Sequence, residues 1–147
     1  GTRFSDALGL KYRDEAGEEK SVVMGCYGIG PARVMGTVAE VLSDEAGLIW
    51  PKEVAPFRVH IVAIPGGEAM EKGLALHDEL ASRGIEALFD DRDLRAGEKF
   101  ADADLLGMPL RVVVSERSLK EGGYELKARN EKEGRIVKEL QEVLAAA

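Results

Sequence analysis

The 147 residues carry 20 Lys and Arg against 27 Asp and Glu, a formal net charge of −7, with 45% hydrophobic and 32% charged residues. A chain of this size buries a core without metals or disulfides, and its acidic balance excludes a general coat for nucleic-acid phosphates, which needs a basic surface. Cys26 has no second cysteine to pair with, which fits a reducing cytoplasm, and no apolar run reaches bilayer length.

The chain opens on Gly1 rather than Met, as a piece cut from a longer protein does, and Arg3, Asp6 and Lys11 break any secretory leader at this point. In LKYRDEAGEEKSVVMG, Asp14 to Gly17 supply turn residues between two extended stretches, which predicts a β-hairpin. Val22, Val23 and Met24 are predicted to continue as a strand through GCYGIG. Pro31 suits the first turn of a helix, and Val34, Val38, Val41 and Leu42 follow at helical spacing. GLIWPKEVAP, with Pro51 and Pro56, reads as a connector and places a domain boundary between residues 46 and 47.

Beyond the connector, strand and helix patterns alternate. FRVHIVAI predicts a strand apolar on both faces. Residues 67–83 predict a helix with Ala69, Gly73, Leu76 and Leu80 on one face, and IEALF a second strand. EKFADADLLG predicts a short helix stopped by Gly107 and Pro109, LRVVV a third buried strand, and GYELKAR an amphipathic fourth. A last helix is predicted to present Ile136, Val137, Leu140, Val143 and Leu144 on one face. The alternation implies an α/β domain, a mixed and mostly parallel sheet flanked by helices with YELKAR as an antiparallel addition. A hairpin plus helix in residues 1–46 precedes it.

Two stretches carry candidate chemistry. MGCYGIGPAR has glycines that let backbone N–H groups approach an anion, ahead of a helix N-terminus. The dinucleotide pattern needs a glycine where Arg33 stands, and the P-loop Lys followed by Ser or Thr is missing. Spacing alone leaves two readings open: an anion loop, or glycines that permit close strand–helix packing. DDRDLRAGEKF follows IEALF, at the edge where α/β sheets bind ligands. Asp90, Asp91 and Asp93 bring acceptors, and Arg92, Arg95 and Lys99 bring donors. Such a mixed set suits guanine, whose N1–H and N2 amino group donate to carboxylates while O6 and N7 accept from Arg or Lys. An internally paired loop that caps the next helix has the same composition, so Asp90 is assigned to structure and Asp91 is left open. Calcium-loop spacing is absent and no metal site is expected. His60 and His77 have no nucleophile pattern nearby and read as packing or surface residues; no catalytic residue is assigned. Trp50 and Phe57 read as core rather than as base-stacking residues.

GCYGIGPAR resembles motif 3 of class II aminoacyl-tRNA synthetases, and MGCYGIG with the upstream GTRFSDALG is similar to the bacterial-type prolyl enzymes. WPKEVAPFRVHIVAIP, LFDDRDLRAGEKFADADLLGMPLRVVVSERSLKEGG and YELKAR resemble, in order, three blocks of the anticodon-binding domain shared by the prolyl, histidyl, threonyl and glycyl enzymes. The resemblance implies that residues 1–46 end a class II catalytic domain and that 47–147 form an anticodon-binding domain. For the whole enzyme it implies ATP with Mg²⁺, with Arg33 on an ATP phosphate and Gly28 and Gly30 as the floor of the adenylate site. Cys26 and Gly28 would lie beside the proline pocket. Arg92, Lys99 and Asp91 would contact the anticodon loop of proline tRNA, whose anticodons share guanines at the second and third positions. The implied parent is a cytoplasmic homodimer that ligates proline to its tRNA, with no DNA or membrane partner. The chain has no counterpart of motifs 1 and 2, so by itself it is expected to have neither activity nor cofactor. A free-standing synthetase-like regulator or accessory tRNA-binding protein is the alternative. A flavodoxin-like phosphate-binding domain would explain the α/β pattern but not the order of the blocks. Ser115 stands where the family often has glycine, and Pro31 and Ala32 are a local variant ahead of Arg33.

Overall fold

The computed structural model describes residues 1–147, which form two compact units, residues 1–34 and 35–147. The smaller unit begins with helix α1 (Arg3–Leu8), followed by an antiparallel hairpin of β1 (Lys11–Arg13) and β2 (Glu19–Ser21). Asp14 builds the expected turn: its Oδ1 accepts the N–H groups of Ala16 and Glu18, and its Oδ2 meets the Lys20 ammonium. The strand expected through GCYGIG does not form. Val22 N–H still reaches the Leu10 carbonyl and Met24 N–H that of Gly1, but residues 25–30 are irregular. Gly25, Gly28 and Gly30 weaken a strand that has no ladder partner, and Tyr27 is left 96% exposed. Helix α2 (Pro31–Val41) starts at Pro31 as expected, and the division between the units falls inside it.

The larger unit opens with a tight hairpin, β3 (Ser43–Asp44) and β4 (Gly47–Leu48). The division expected between residues 46 and 47 falls inside this hairpin. Then follow β5 (Val59–Ala63), α3 (Ala69–Ser82), β6 (Ala87–Asp90), α4 (Ala96–Leu106), β7 (Leu110–Val114), α5 (Glu116–Lys120), β8 (Tyr124–Ala128), β9 (Arg135–Val137) and α6 (Leu140–Ala146). The sheet order is β6-β5-β7-β8-β9; β6, β5 and β7 run parallel, while β8 and β9 are added antiparallel. This is the mixed α/β sheet flanked by helices that the pattern implied.

Two elements depart from expectation. Ile136 and Val137 belong to β9, where Val137 pairs with Tyr124, and not to the last helix, which starts only at Leu140. Both are β-branched residues that fit a half-buried strand, and period alone did not separate the two uses. Helix α5 was not anticipated. Its N-cap is Ser115, whose Oγ accepts the Ser118 N–H at 3.1 Å, so the departure from glycine at this position supplies a cap.

Side-chain alternation divides the sheet into two unlike faces. On one, α3 and α6 bring Ala69, Leu76, Leu80 and Val143 against Val59, Ile61, Val112, Val114, Leu126 and Val137, an all-apolar core. Gly73 lets α3 lie this close, since a Cβ there would stand 2.9 Å from the Phe89 ring. The other face presents His60, Val62, Asp90, Arg111 and Val113 and is covered by α4, which buries Lys99 and Ala103. Helix α4 ends at Gly107 in the left-handed region (φ 70°), where a Cβ would lie 1.8 Å from the Leu48 carbonyl oxygen. That close approach seats the β3–β4 hairpin, and Trp50 completes it by donating Nε1–H to the Leu106 carbonyl at 3.0 Å. No helix is long and apolar enough to cross a membrane.

Candidate functional site

The carboxyl ends of β5 and β6 and the loop into α4 form one edge, where an open α/β sheet places ligands. Asp90 closes β6 with its side chain inward and only 5% of the residue exposed. Its carboxylate accepts three N–H groups of Arg92: the backbone N–H at 3.2 Å, Nε–H at 2.9 Å and Nη2–H at 2.8 Å. Arg92 Nη2 also lies 2.8 Å from Asp102 Oδ2 on α4. The fork from Arg92 holds the Asp90 carboxyl at a pKa of about 2, and the two carboxylates in turn push the guanidinium still further above its usual value. The Arg92 side chain remains 48% exposed. A half-buried cation held by two acids therefore stands at the sheet edge, beside a concavity of about 300 Å³ lined by Ile64, Pro65, Asp93, Leu94, Arg95 and Ala96.

Lys99 comes to the same edge from the opposite direction. It sits in register with Ala103 on the inner face of α4 and is 0% exposed. Its ammonium donates to the carbonyls of Ala63 at 2.6 Å and Asp90 at 3.0 Å, the last residues of β5 and β6, and lies 3.7 Å from Asp90 Oδ1. A buried ammonium so engaged stands behind the surface, not on it, which does not fit the expected contact with a base. Asp91, Asp93 and Arg95 are exposed along the loop. The cap of α4 comes from Glu98, whose carboxylate accepts the Arg95 N–H at 3.2 Å, and not from the aspartates before it.

Beneath this network the sheet face stays polar. His60 is 2% exposed with Nδ1 lacking a partner, and burial pushes the imidazole below its ordinary pKa against the pull of Asp90. Its cross-strand neighbour Arg111 donates to Asp104 at 2.9 Å and stacks 4.8 Å over the Phe100 ring. His77 is a half-buried α3 residue beside Phe89. Asp102 is the member of the edge that sequence reasoning missed; its one signal is the three-residue spacing from Lys99, which puts both on adjoining turns.

The other predicted site residues lie in residues 25–33: Cys26, Gly28, Gly30 and Arg33 are all exposed, and Gly28 has open space around its Cα. Cys26, Gly28, Gly30 and Arg33 belong to the smaller unit, and Arg92, Lys99 and Asp91 to the larger.

A family model described as an anticodon binding domain matches residues 58–146. The chain belongs to that family. The anticodon binding domain so defined contains the whole five-stranded sheet together with α3 to α6. Among curated relatives, the chain is 48% identical over 140 residues to a proline–tRNA ligase of Thermoanaerobacter sp. (strain X514), covering 94% of this chain and 24% of that protein. It is 46% identical over 149 residues to the proline–tRNA ligase of Bacillus mycoides (strain KBAB4), covering 99% of this chain and 26% of the relative. The proline–tRNA ligase of Syntrophomonas wolfei is 45% identical over 139 residues, 93% of this chain and 24% of the relative. The chain thus spans about a quarter of the length of the curated relatives it matches.

Proposed function

We propose that this chain reads the anticodon loop of a proline tRNA, as the anticodon-binding part of a longer ATP-dependent proline–tRNA ligase. The observation that carries the reading is Arg92: a half-exposed guanidinium, oriented by Asp90 and Asp102 at the ligand-binding edge of an anticodon binding domain. Exposed Asp91 next to it offers the carboxylate that a guanine N1–H and N2 amino group require, so the pair presents an acceptor and a donor to one base edge. A local site of this kind reconciles a net charge of −7 with RNA binding, because unpaired bases are read through edges and stacking and not only through phosphates.

In the longer protein we assign Arg33 to an ATP phosphate, with Gly28 and Gly30 leaving room for the nucleotide and Cys26 and Gly28 near the proline. A guanidinium in the first turn of α2 behind a glycine-studded segment is chemically suited to that contact. Mg²⁺ accompanies the ATP as part of that substrate. We assign the parent to the cytoplasm as a homodimer without DNA or membrane partners.

The test is titration of the chain with a fluorescent proline-tRNA anticodon stem-loop, and with loops in which either shared guanine is replaced by adenine. Weak binding that falls on replacement is expected, and Arg92→Ala should cost about 1–3 kcal/mol. Equal affinity for all loops, unchanged in Arg92→Ala, would remove the reading.

A further inference from the structure

A guanidinium has five N–H donors, and in Arg92 three are committed. Nε–H and one Nη2–H fork onto Asp90, and the second Nη2–H faces Asp102. Nη1 makes no hydrogen bond, so its two donors are the ones left for a ligand. The fork that would ordinarily grip a base or phosphate is therefore turned inward.

What turns it is Asp90, and what holds Asp90 is Lys99. The lysine ammonium ties the last carbonyls of β5 and β6 together and supplies the positive charge behind a carboxylate that is almost wholly buried. A buried carboxylate with a fork on one side and an ammonium on the other has little freedom to rotate. Asp102, 43% exposed, closes the arrangement from α4. Lys99 and Asp102 sit three residues apart on one helix, so α4 sets both ends of the chain of charges that ends at Nη1.

We propose that Lys99, Asp90 and Asp102 are positioning residues that hold the Arg92 guanidinium in one orientation, so that a guanine is read by the two donors of Nη1 and not by the fork. The proposal rests on the anticodon reading above. It assigns discrimination between bases, more than affinity, to residues that do not touch the RNA: a mobile arginine finds an acceptor on any base or phosphate, whereas a fixed Nη1 meets only an acceptor placed opposite it.

The experiment uses the whole chain and two variants. Asp102→Asn keeps shape at a surface position and releases one Nη2–H. Lys99→Met keeps the apolar stem and removes the ammonium. For each, binding of the guanine-containing stem-loop and of its adenine-substituted partner is measured by anisotropy, with circular dichroism as the check on folding. In Asp102→Asn, overall affinity is expected to hold or rise, because a negative charge near the RNA is lost, while the guanine preference falls about threefold or more. In folded Lys99→Met the preference is expected to fall about tenfold. An unchanged preference in Asp102→Asn overturns the proposal, whether or not Lys99→Met folds. A second readout needs no RNA: exchange of the Arg92 Nε–H with solvent, followed by ¹⁵N NMR, should be slow in the unaltered chain and at least threefold faster in Asp102→Asn. If the unaltered chain shows no guanine preference, the anticodon reading falls and this exchange rate alone decides the positioning; equal rates overturn it.

Discussion

The guanidinium of Arg129 forks onto the carboxylate of Asp44 across 85 residues of chain, with Nη1–Oδ2 at 2.9 Å and Nη2–Oδ1 at 2.6 Å. Its Nε–H donates at 3.1 Å to the carbonyl of Asp104, so one side chain ties the turn after β8 to both the β3–β4 hairpin and α4. The Arg129 side chain is 8% exposed, and removing Asp44 leaves a nearly buried cation without its partner.

Truncation tests this directly. A chain beginning at Met35 is expected to unfold in one cooperative transition, because it keeps the larger unit entire. One beginning at Trp50 should also fold around the core of β5, β6 and β7, but with a lower Tm, since it loses the hairpin and Asp44. The hydrogen bonds from Arg129 hold the Asp44 carboxyl well below its ordinary value of 3.8. A depressed carboxylate contributes stability that is present above its unfolded pKa and is lost as pH falls below it. Between pH 5 and 3, the Tm of the Met35 chain should therefore fall more steeply than that of the Trp50 chain. Parallel curves would mean that the pair contributes nothing.

His60 should govern a second acid transition at milder pH. Burial depresses its pKa below 6.5, and the charges facing it are Asp90, Arg111, Arg92 and Asp102. The unfolded chain then takes up a proton where the folded chain does not, so stability falls as pH drops from about 7 through 6. His60→Leu removes the titrating group and its unpartnered Nδ1, and should flatten the slope of Tm against pH between 7 and 5. Thermal melts at three pH values check this, and an unaltered slope would locate the transition elsewhere.

Gly97 in α4 and Gly107 at its C-terminal cap should answer oppositely to alanine. Gly107→Ala places a Cβ 1.8 Å from the Leu48 carbonyl oxygen at φ 70°, and is expected to destabilise by at least about 2 kcal/mol. Gly97, within the helix and with nothing within 4 Å of a new Cβ, should gain about 0.5–1 kcal/mol as alanine. Urea denaturation of both variants measures the contrast; loss of stability in Gly97→Ala would mean that the loop before α4 needs its freedom.

The chain by itself is expected to show no proline-dependent ATP–pyrophosphate exchange. Activation needs several groups aimed at one developing charge, and here Cys26, Gly28 and Gly30 lie exposed on an irregular segment, with Arg33 exposed in the first turn of α2. Exchange above background in protein purified free of host synthetase would overturn this.

Much of the larger unit was legible in its sequence because local pattern and global fold agree there. Ala69, Gly73, Leu76 and Leu80 recur at helical spacing and are the four residues α3 buries, and the continuous apolar run of LRVVV is a central strand. Helix stops at Gly107 and starts at Pro31 follow from backbone chemistry that one residue decides. Ile136 and Val137 show where this ends: both suit a helix face or a strand, and pairing with Tyr124 and Glu125 chose the strand. The strand expected through GCYGIG failed for the converse reason, since a strand exists only with a partner for its backbone. The loop DDRDLRAGEKF declared its charges but not their roles. Composition counted Lys99 among the outward donors, and only the packing of α4 on the polar face of the sheet turned it inward to Asp90, leaving Arg92 at the surface. Charge is a property of a residue, whereas burial and the choice among partners belong to elements that meet only in the folded chain.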